Sequence, residues 1–408
     1  MKNRLRSCAS LINRAVRTFA EWLIQTGYKC GFLFFGRFPA DQKLVIFESF
    51  FGRQYSCNPR AIYEYMRTHC PDYRLVWSAD RRHEKMFAAR HLMYVRRYSF
   101  RWLLLMSRAG YWVTNIRYPD WFRKPAHTVY VQTWHGTPLK KLALDLDSYP
   151  EKYKKQFIKD AAMWDILISP NTYSSRIFPH AFGFHGEMLE TGYPRNDILY
   201  RKNNLPMIRR IREYCHIPEG KSVLLYAPTW RDDQNLGNEH YRYDPVLDLN
   251  AMKKAFGDRC VILLRLHYLV ADQIDLSAFD GFALDVSHYE DISDLYLIAD
   301  VLITDYSSVF FDYANLKRPM IFFAYDIDKY RDQLRGFYFD FEHEAPGPIV
   351  TTNEQLIETL RSVEKSAFTA DRQFEGFYHR FCAFEDGHAA ERVVRSVFHE
   401  TSKARAHQ

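Results

Sequence analysis

Short apolar runs alternate along this chain with longer stretches whose apolar residues recur at helical spacing. Lys43–Phe47, Arg74–Trp77, Gly110–Asn115, Thr128–Trp134 and Trp164–Ser169 read as strands. Pro59–Thr68, Phe100–Arg108 and Glu151–Ala162 read as helices among them. The alternation resumes with strands at Val223–Ala227, Val261–Leu266 and near Phe282–Val286. These runs are continuously apolar and rich in β-branched residues, which predicts parallel strands buried on both faces. The most informative stretch is 291–326, which predicts helix, strand, tight turn, helix and strand. Its strand, Val301–Thr304, runs into Tyr306-Ser307-Ser308, which opens a helix that Pro319 is expected to stop. Such a junction directs free backbone N–H groups into open space and suits a phosphate. Ser307 and Ser308 add hydroxyls, and Asp312 lies one turn beyond Ser308 on the same face. The plain alternative is an ordinary helix cap. A similar junction at Tyr173-Ser174-Ser175 follows the strand ending at Ser169, so the tripeptide alone does not specify a phosphate site.

Strands alternating with helices imply right-handed crossovers and parallel sheets. Polar breaks at Tyr200–Pro206 and His216–Gly220 divide the alternation in two. The expected organisation is an α/β domain over 41–199, a second over 200–372, and a segment 373–408 whose helix Ala389–Val397 returns to the first domain. Two such halves predict a GT-B-like architecture, two Rossmann-like domains with parallel sheets facing a cleft that holds the ligand.

Residues 1–40 differ from the rest. From Cys8 to Leu23 the apolar positions fall on one helical face, and 1–38 carries seven basic residues against Glu21 alone, a net of +6. Gly31–Gly36 is intensely apolar but too short to span a bilayer. A basic amphipathic helix with an aromatic patch predicts an interfacial anchor on an anionic membrane surface; packing on the protein's own body is the alternative. No stretch of 18 apolar residues and no cleavable leader pattern occur, so neither a transmembrane helix nor a signal peptide is expected. Seven scattered cysteines without a Cys-x-x-Cys pair agree with a reducing compartment. The net charge of +7 and the 16% aromatic content suit anionic and sugar-like ligands. Nucleic acid is the least supported partner, since no recognition motif accompanies the charge.

Candidate chemistry gathers at strand ends. His135 follows the strand Tyr130–Trp134, with Gly136 and Pro138 fixing a turn and Lys140-Lys141 beyond. A histidine there either caps the turn or acts as general base. Arg265 and His267 end another strand on the same side, an arrangement suited to a pyrophosphate. Pro228 and Thr229 form a turn after Tyr226-Ala227, and Arg195 precedes the domain break. No Walker A loop, Gly-x-Gly-x-x-Gly, Gly-x-Ser-x-Gly or metal-spaced His/Cys set is present. Two Asp-x-Asp triplets, Asp145–Asp147 and Asp326–Asp328, are the only hints of a metal, and none is assigned; no cofactor is expected.

Six motifs occur in order: Gln132-Thr-Trp-His-Gly-Thr-Pro-Leu-Lys-Lys-Leu, Gly192-Tyr-Pro-Arg-Asn-Asp, Tyr226-Ala-Pro-Thr-Trp-Arg-Asp, Leu264-Arg-Leu-His-Tyr, Thr304-Asp-Tyr-Ser-Ser with Asp312, and Phe384-Glu-Asp-Gly-His-Ala-Ala-Glu-Arg. Over most of 95–400 the chain resembles the CDP-glycerol glycerophosphotransferases, the teichoic-acid glycerol-phosphate primases and polymerases. The resemblance implies a peripheral enzyme on the cytoplasmic face of the cell membrane, moving glycerol phosphate from CDP-glycerol to a lipid-linked glycan or polyol-phosphate acceptor, with release of CMP. It implies an acceptor domain first and a donor domain second. His135 would be the base, while Arg265 and His267 would hold the pyrophosphate. Pro228, Thr229, Leu266, Ser307, Ser308 and Asp312 would line the donor site with Arg195 near its phosphates. Gly136, Thr137, Pro138 and Leu139 would complete the substrate contacts. CDP-ribitol as donor, a nucleotide-sugar glycosyltransferase, and a catalytically inert membrane scaffold remain the alternatives.

Overall fold

The computed structural model describes residues 2–119, 121–146, 149–229, 246–266, 275–331, 336–366 and 368–399, with side chains from 18 to 398. The first half forms a seven-stranded sheet of β1 (Asp41–Glu48), β2 (Arg74–Ala79), β3 (Tyr94–Arg96), β4 (Ala109–Thr114), β5 (Val129–Gln132), β6 (Ile166–Ser169) and β7 (Glu187–Glu190). The second forms a six-stranded sheet of β8 (Ser222–Tyr226), β9 (Cys260–Leu264), β10 (Ala283–Asp285), β11 (Val301–Thr304), β12 (Met320–Phe323) and β13 (Ile349–Val350). The spatial orders are β3-β2-β1-β4-β5-β6-β7 and β10-β9-β8-β11-β12-β13. The strand pairings are parallel. Both sheets are therefore doubly wound, with the strand order reversing between β1 and β4 and between β8 and β11. Ligands of such sheets bind beyond the carboxyl ends of the strands at that reversal. The two-domain Rossmann-like α/β fold expected from the alternation is the one observed.

Side-chain alternation distributes the strands between cores. Leu44 and Ile46 pack with Trp102, Trp112 and Phe122, whereas Val45 and Phe47 face Trp77, Tyr63 and Phe398. In β8, Val223 and Leu225 face one cluster and Leu224 and Tyr226 the other. This is the period of two that a strand covered on both faces requires. The helix Arg372–Phe381 buries Phe374, Phe377 and Phe381 against the second sheet. The helix Ala389–Val394 and the turn after it then carry Val393, Val394, Val397 and Phe398 back onto the first.

Two local expectations change. The N-terminal helix is one element, Lys2–Phe35, that absorbs the Gly31–Phe35 stretch. Gly31 is tolerated inside it because a Cβ there would lie 2.5 Å from Leu103 Cδ2, so the close approach favours the missing side chain. The helix after Ser308 runs only over Val309–Tyr313, with a further turn at Ala314–Leu316. It ends at Lys317, whose φ of 49° reverses the chain before Pro319 is reached.

Candidate active site between the two sheets

The loops after β1, β4 and β5 meet those after β8 and β11. Gly136 marks the junction: a Cβ there would lie 2.8 Å from Ser308 Oγ, so glycine lets the first-half loop approach Ser308 without displacing its hydroxyl. His135, one residue earlier, is half-buried between Trp134, stacked at 4.5 Å, and Phe50, edge-on at 5.8 Å. Trp134 has φ of 50°, so the chain takes a left-handed turn to present the histidine.

The His135 tautomer follows from its partner. Nδ1 lies 2.8 Å from the Asn115 carbonyl oxygen, which can only accept, so Nδ1 carries the proton and donates. Nε2 is left with a lone pair. Burial, and then the nearby Arg195 charge, oppose protonation and lower the pKa to about 4, while the Asn115 hydrogen bond acts the other way. The ring is a neutral proton acceptor near pH 7.

Opposite it, Ser307 and Ser308 are half-buried, and among the described residues no hydrogen bond involves either hydroxyl. Their sequence twin differs. Tyr173 Oη donates to Pro138 O at 2.8 Å, Asn171 caps the Ser174 N–H at 2.9 Å, and Ser175 Oγ donates to Ser169 Oγ at 2.8 Å. At the first junction Ser175 is bound within its own loop and the Ser174 hydroxyl is buried without a partner; at the second both serine hydroxyls are half-exposed. The five-residue helix behind Ser308 has little dipole, so any anion held here rests on individual N–H and O–H donors.

The turn Pro228-Thr229 is tied to the loop after β11 by Thr229 N–H donating to Asp305 Oδ1 at 2.8 Å. Arg265 stands at the end of β9. Its Nη1 donates to the carbonyls of Val286 and Ser287, and it forms no ion pair with a described carboxylate. Burial lowers its pKa, so an incoming anion would stabilise its charge. His267 lies outside the described residues.

Arg195, near enough to His135 for its charge to act on that ring, is paired with Asp312. The guanidinium bonds the Asp312 carboxylate at 2.8 and 2.9 Å, and the side chains are 8% and 7% exposed. Asn196 Nδ2 donates to Asp312 at 3.1 Å and to Glu385 at 3.0 Å, and Tyr193 N–H donates to Glu385 at 3.0 Å. Asp197 accepts from Ala389 and Ala390 N–H at 2.9 and 2.8 Å, capping the C-terminal helix. The Gly192–Asp197 and Phe384–Arg392 motifs thus converge on one buried lock between the halves. Leu139 and Leu266 are likewise core residues, 1% and 6% exposed, and Leu139 joins the second half's core. Thr137 is buried, and the Pro138 carbonyl is occupied by Tyr173. Of the Asp-x-Asp residues, Asp145 accepts from Tyr338 Oη and Asp326 from Tyr306 Oη, while Asp328 pairs with Arg331. Among the described residues no carboxylate, histidine and cysteine cluster could hold a metal.

Asn115 escaped the sequence reading. Its carbonyl sets the His135 tautomer while its side-chain oxygen holds the Phe50 N–H at 3.0 Å. The available signal was its place, a polar residue directly beyond the strand next to the His135 strand.

The chain is similar to known proteins in sequence and in fold. The chain is 52% identical over 382 residues to the teichoic acid poly(glycerol phosphate) polymerase of Bacillus subtilis, covering 92% of this chain and 51% of that protein. The chain therefore spans about half the length of that relative. It is 44% identical over 396 residues to the teichoic acid glycerol-phosphate transferase of Staphylococcus aureus, covering 95% of this chain and all of that protein, 100%. A solved structure of the wall teichoic acid polymerase TagF, a variant soaked with CDPG, superposes with a TM-score of 0.83 at 38% identity, covering 96% of this chain and 99% of that one. A family model described as CDP-Glycerol:Poly(glycerophosphate) glycerophosphotransferase matches residues 32–399, and the chain belongs to that family.

Proposed function

We propose that this chain transfers glycerol phosphate from CDP-glycerol to a hydroxyl of a membrane-linked acceptor. The carrying observation is the close approach of Gly136, next to a His135 whose Nδ1 is held by Asn115, to Ser308, whose hydroxyl has no partner among the described residues. In this reading Ser307, Ser308, Arg265 and the Pro228-Thr229 turn hold the donor's diphosphate, and His267 belongs with them. The acceptor hydroxyl enters from the first half. Its oxygen bonds the β-phosphorus as the bond to the bridging oxygen breaks; CMP leaves with that oxygen's electrons, and the hydroxyl proton passes to His135 Nε2. Donor binding by residues 200–372 and acceptor binding by 41–199 follow from this placement. Arg195 and Asp312 keep the halves in register without touching the substrate.

The acceptor's membrane link fits the N-terminal helix. Phe19, Trp22, Leu23 and Ile24 are 60%, 56%, 50% and 59% exposed on it, and Leu33 and Phe34 are exposed near its end. Among the described residues no helix is long and apolar enough to cross a membrane. We assign the helix to an anionic membrane surface on the cytoplasmic side. Phe32 is 2% exposed within the first core, so a deletion probing this role must stop short of Tyr28.

Incubation with CDP-glycerol, CDP-ribitol or a nucleotide sugar plus a lipid-linked primer, with mass analysis of products, tests the reading. A glycerol-phosphate increment with CMP supports it. A hexose increment with a nucleoside diphosphate would replace it by glycosyl transfer.

A further inference from the structure

We propose that the loop Ser49-Phe50-Phe51-Gly52-Arg53 after β1 is the acceptor platform: the Phe51 ring supports the carbon face of an acceptor polyol or sugar, and Arg53 pairs with an acceptor phosphate. The inference rests on the transfer reading above and assigns the half of the reaction that none of the six motifs addresses.

The backbone is the first sign. Phe50 and Phe51 have φ of 44° and 64°, consecutive left-handed conformations at bulky residues, followed by Gly52 at 75°. Side chains with a Cβ avoid this region, and such outliers persist where surrounding structure imposes them. The surroundings here do so. Gly52 N–H donates to Ser49 O at 2.9 Å and Asp80 N–H donates to Gly52 O at 2.8 Å. A Cβ on Gly52 would lie 2.7 Å from both Asp80 N and Ser78 O. Asn115 holds the Phe50 N–H, and Ser49 Oγ donates to Ser56 O at 3.1 Å.

Core packing does not explain the strain. Phe51 is 45% exposed and sits outside the buried clusters. The guanidiniums of Arg53 and Arg97 lie 5.9 and 5.7 Å from its ring centre. Arg97 is committed to the buried Glu48 at 3.0 Å and serves as a fixed support. Arg53 is exposed and forms no ion pair with a described carboxylate. The result is an open aromatic plate beside an available cation.

The platform is joined to the base. Phe50 contacts the His135 ring at 5.8 Å, and Asn115 bonds both loops. On its other side Arg97 stacks on Tyr98 at 4.4 Å. Tyr98 in turn borders an apolar groove of about 720 Å³ shared with Ile24, Tyr28, Phe100 and Trp121, at the helix assigned to the membrane. A ligand on the platform therefore lies between the membrane side and the proton acceptor, which is the acceptor's position and not the donor's. An aromatic face with a guanidinium at its edge recognises a carbon skeleton bearing a phosphate ester. That ester could be a phosphodiester of the growing polymer or the headgroup phosphate of the lipid.

The test is steady-state CMP release by the full chain and by Phe51→Gly, Phe51→Asn and Arg53→Gln. Two acceptors are used, a lipid-linked primer carrying one glycerol phosphate and a lipid-free glycerol-phosphate oligomer. We expect the acceptor KM to rise about tenfold or more in each variant while the CDP-glycerol KM stays within about twofold. The Phe51 variants should melt no lower than the parent, because Gly and Asn accept the left-handed backbone. A rise for both acceptors assigns the polymer phosphodiester; a rise for the lipid-linked primer alone assigns the lipid phosphate. Unchanged acceptor KM in well-folded variants would overturn the platform, as would a matching rise in the CDP-glycerol KM. No CMP release by the parent would instead remove the transfer reading on which the inference stands.

Discussion

Replacing Asp312 with asparagine separates a structural lock from a substrate ligand. The Arg195–Asp312 pair has two hydrogen bonds of 2.8 and 2.9 Å between side chains less than a tenth exposed. At an effective dielectric of about 20, unit charges about 4 Å apart attract by about 4 kcal/mol. The asparagine side chain would keep the shape but leave the guanidinium buried without its counter-charge. Removing one partner of a buried pair costs about 3–5 kcal/mol, so Asp312→Asn should lose about 3 kcal/mol of unfolding free energy in urea. The double variant Arg195→Met/Asp312→Leu should recover most of it, because an apolar pair owes no desolvation. Calorimetry on the folded single variant should give a CDP-glycerol affinity within about threefold of the parent. A variant as stable as the parent that no longer binds CDP-glycerol would refute the reasoning and return Asp312 to the donor site.

Other outcomes follow from the same geometry. Burial pushes the Glu385 carboxyl up to about 8 from an ordinary 4.5. A raised folded-state pKa means the folded protein holds a proton that the unfolded chain has lost, so this stability is present at low pH and disappears as pH rises through the folded value. Glu385→Gln should flatten that decline and be the more stable form near pH 9 by on the order of 2 kcal/mol in urea titrations. His135 must be neutral to accept a proton, so kcat/KM should keep its acid limb well below the ordinary histidine pKa, and the limb of kcat should lie higher once the donor diphosphate is bound. An acid limb of kcat/KM at or above about 6.5 would contradict this assignment. Joint replacement of Trp22, Leu23 and Ile24 by Glu should cut binding to anionic vesicles about a hundredfold or more, since each apolar side chain contributes on the order of 1.5–3 kcal/mol when buried. Sedimentation with vesicles checks it, and retained binding would place the contact elsewhere.

The fold was legible because strands covered on both faces leave continuous apolar runs, and these appeared at nearly every long strand. The short edge strands β3, β7 and β13 did not stand out: Glu187–Glu190 is an apolar pair flanked by glutamates, and Ile349–Val350 is two residues long. His135 was legible for a local reason, its place directly after a strand beside glycine. The two Tyr-Ser-Ser junctions were indistinguishable in sequence, because what separates them is that Ser169 accepts from the Ser175 hydroxyl and Asn171 caps the Ser174 N–H, bonds set by the local fold. The pairing of Arg195 with Asp312 was not legible, since the two lie 117 positions apart. An arginine and an aspartate at strand–helix junctions suit a diphosphate equally well until the fold shows that they satisfy each other. Asn115 stayed hidden because its bonds to Phe50 and His135 reach residues 65 and 20 positions away.

The central claim is that His135 takes the acceptor's proton while other residues hold the donor. Its most direct test is CMP release from CDP-glycerol with a lipid-linked primer by His135→Ala, alongside CDP-glycerol binding to the same preparation. The account predicts a fall in kcat of about a hundredfold to ten-thousandfold with donor affinity within about threefold of the parent. Transfer at the parent's rate would contradict it.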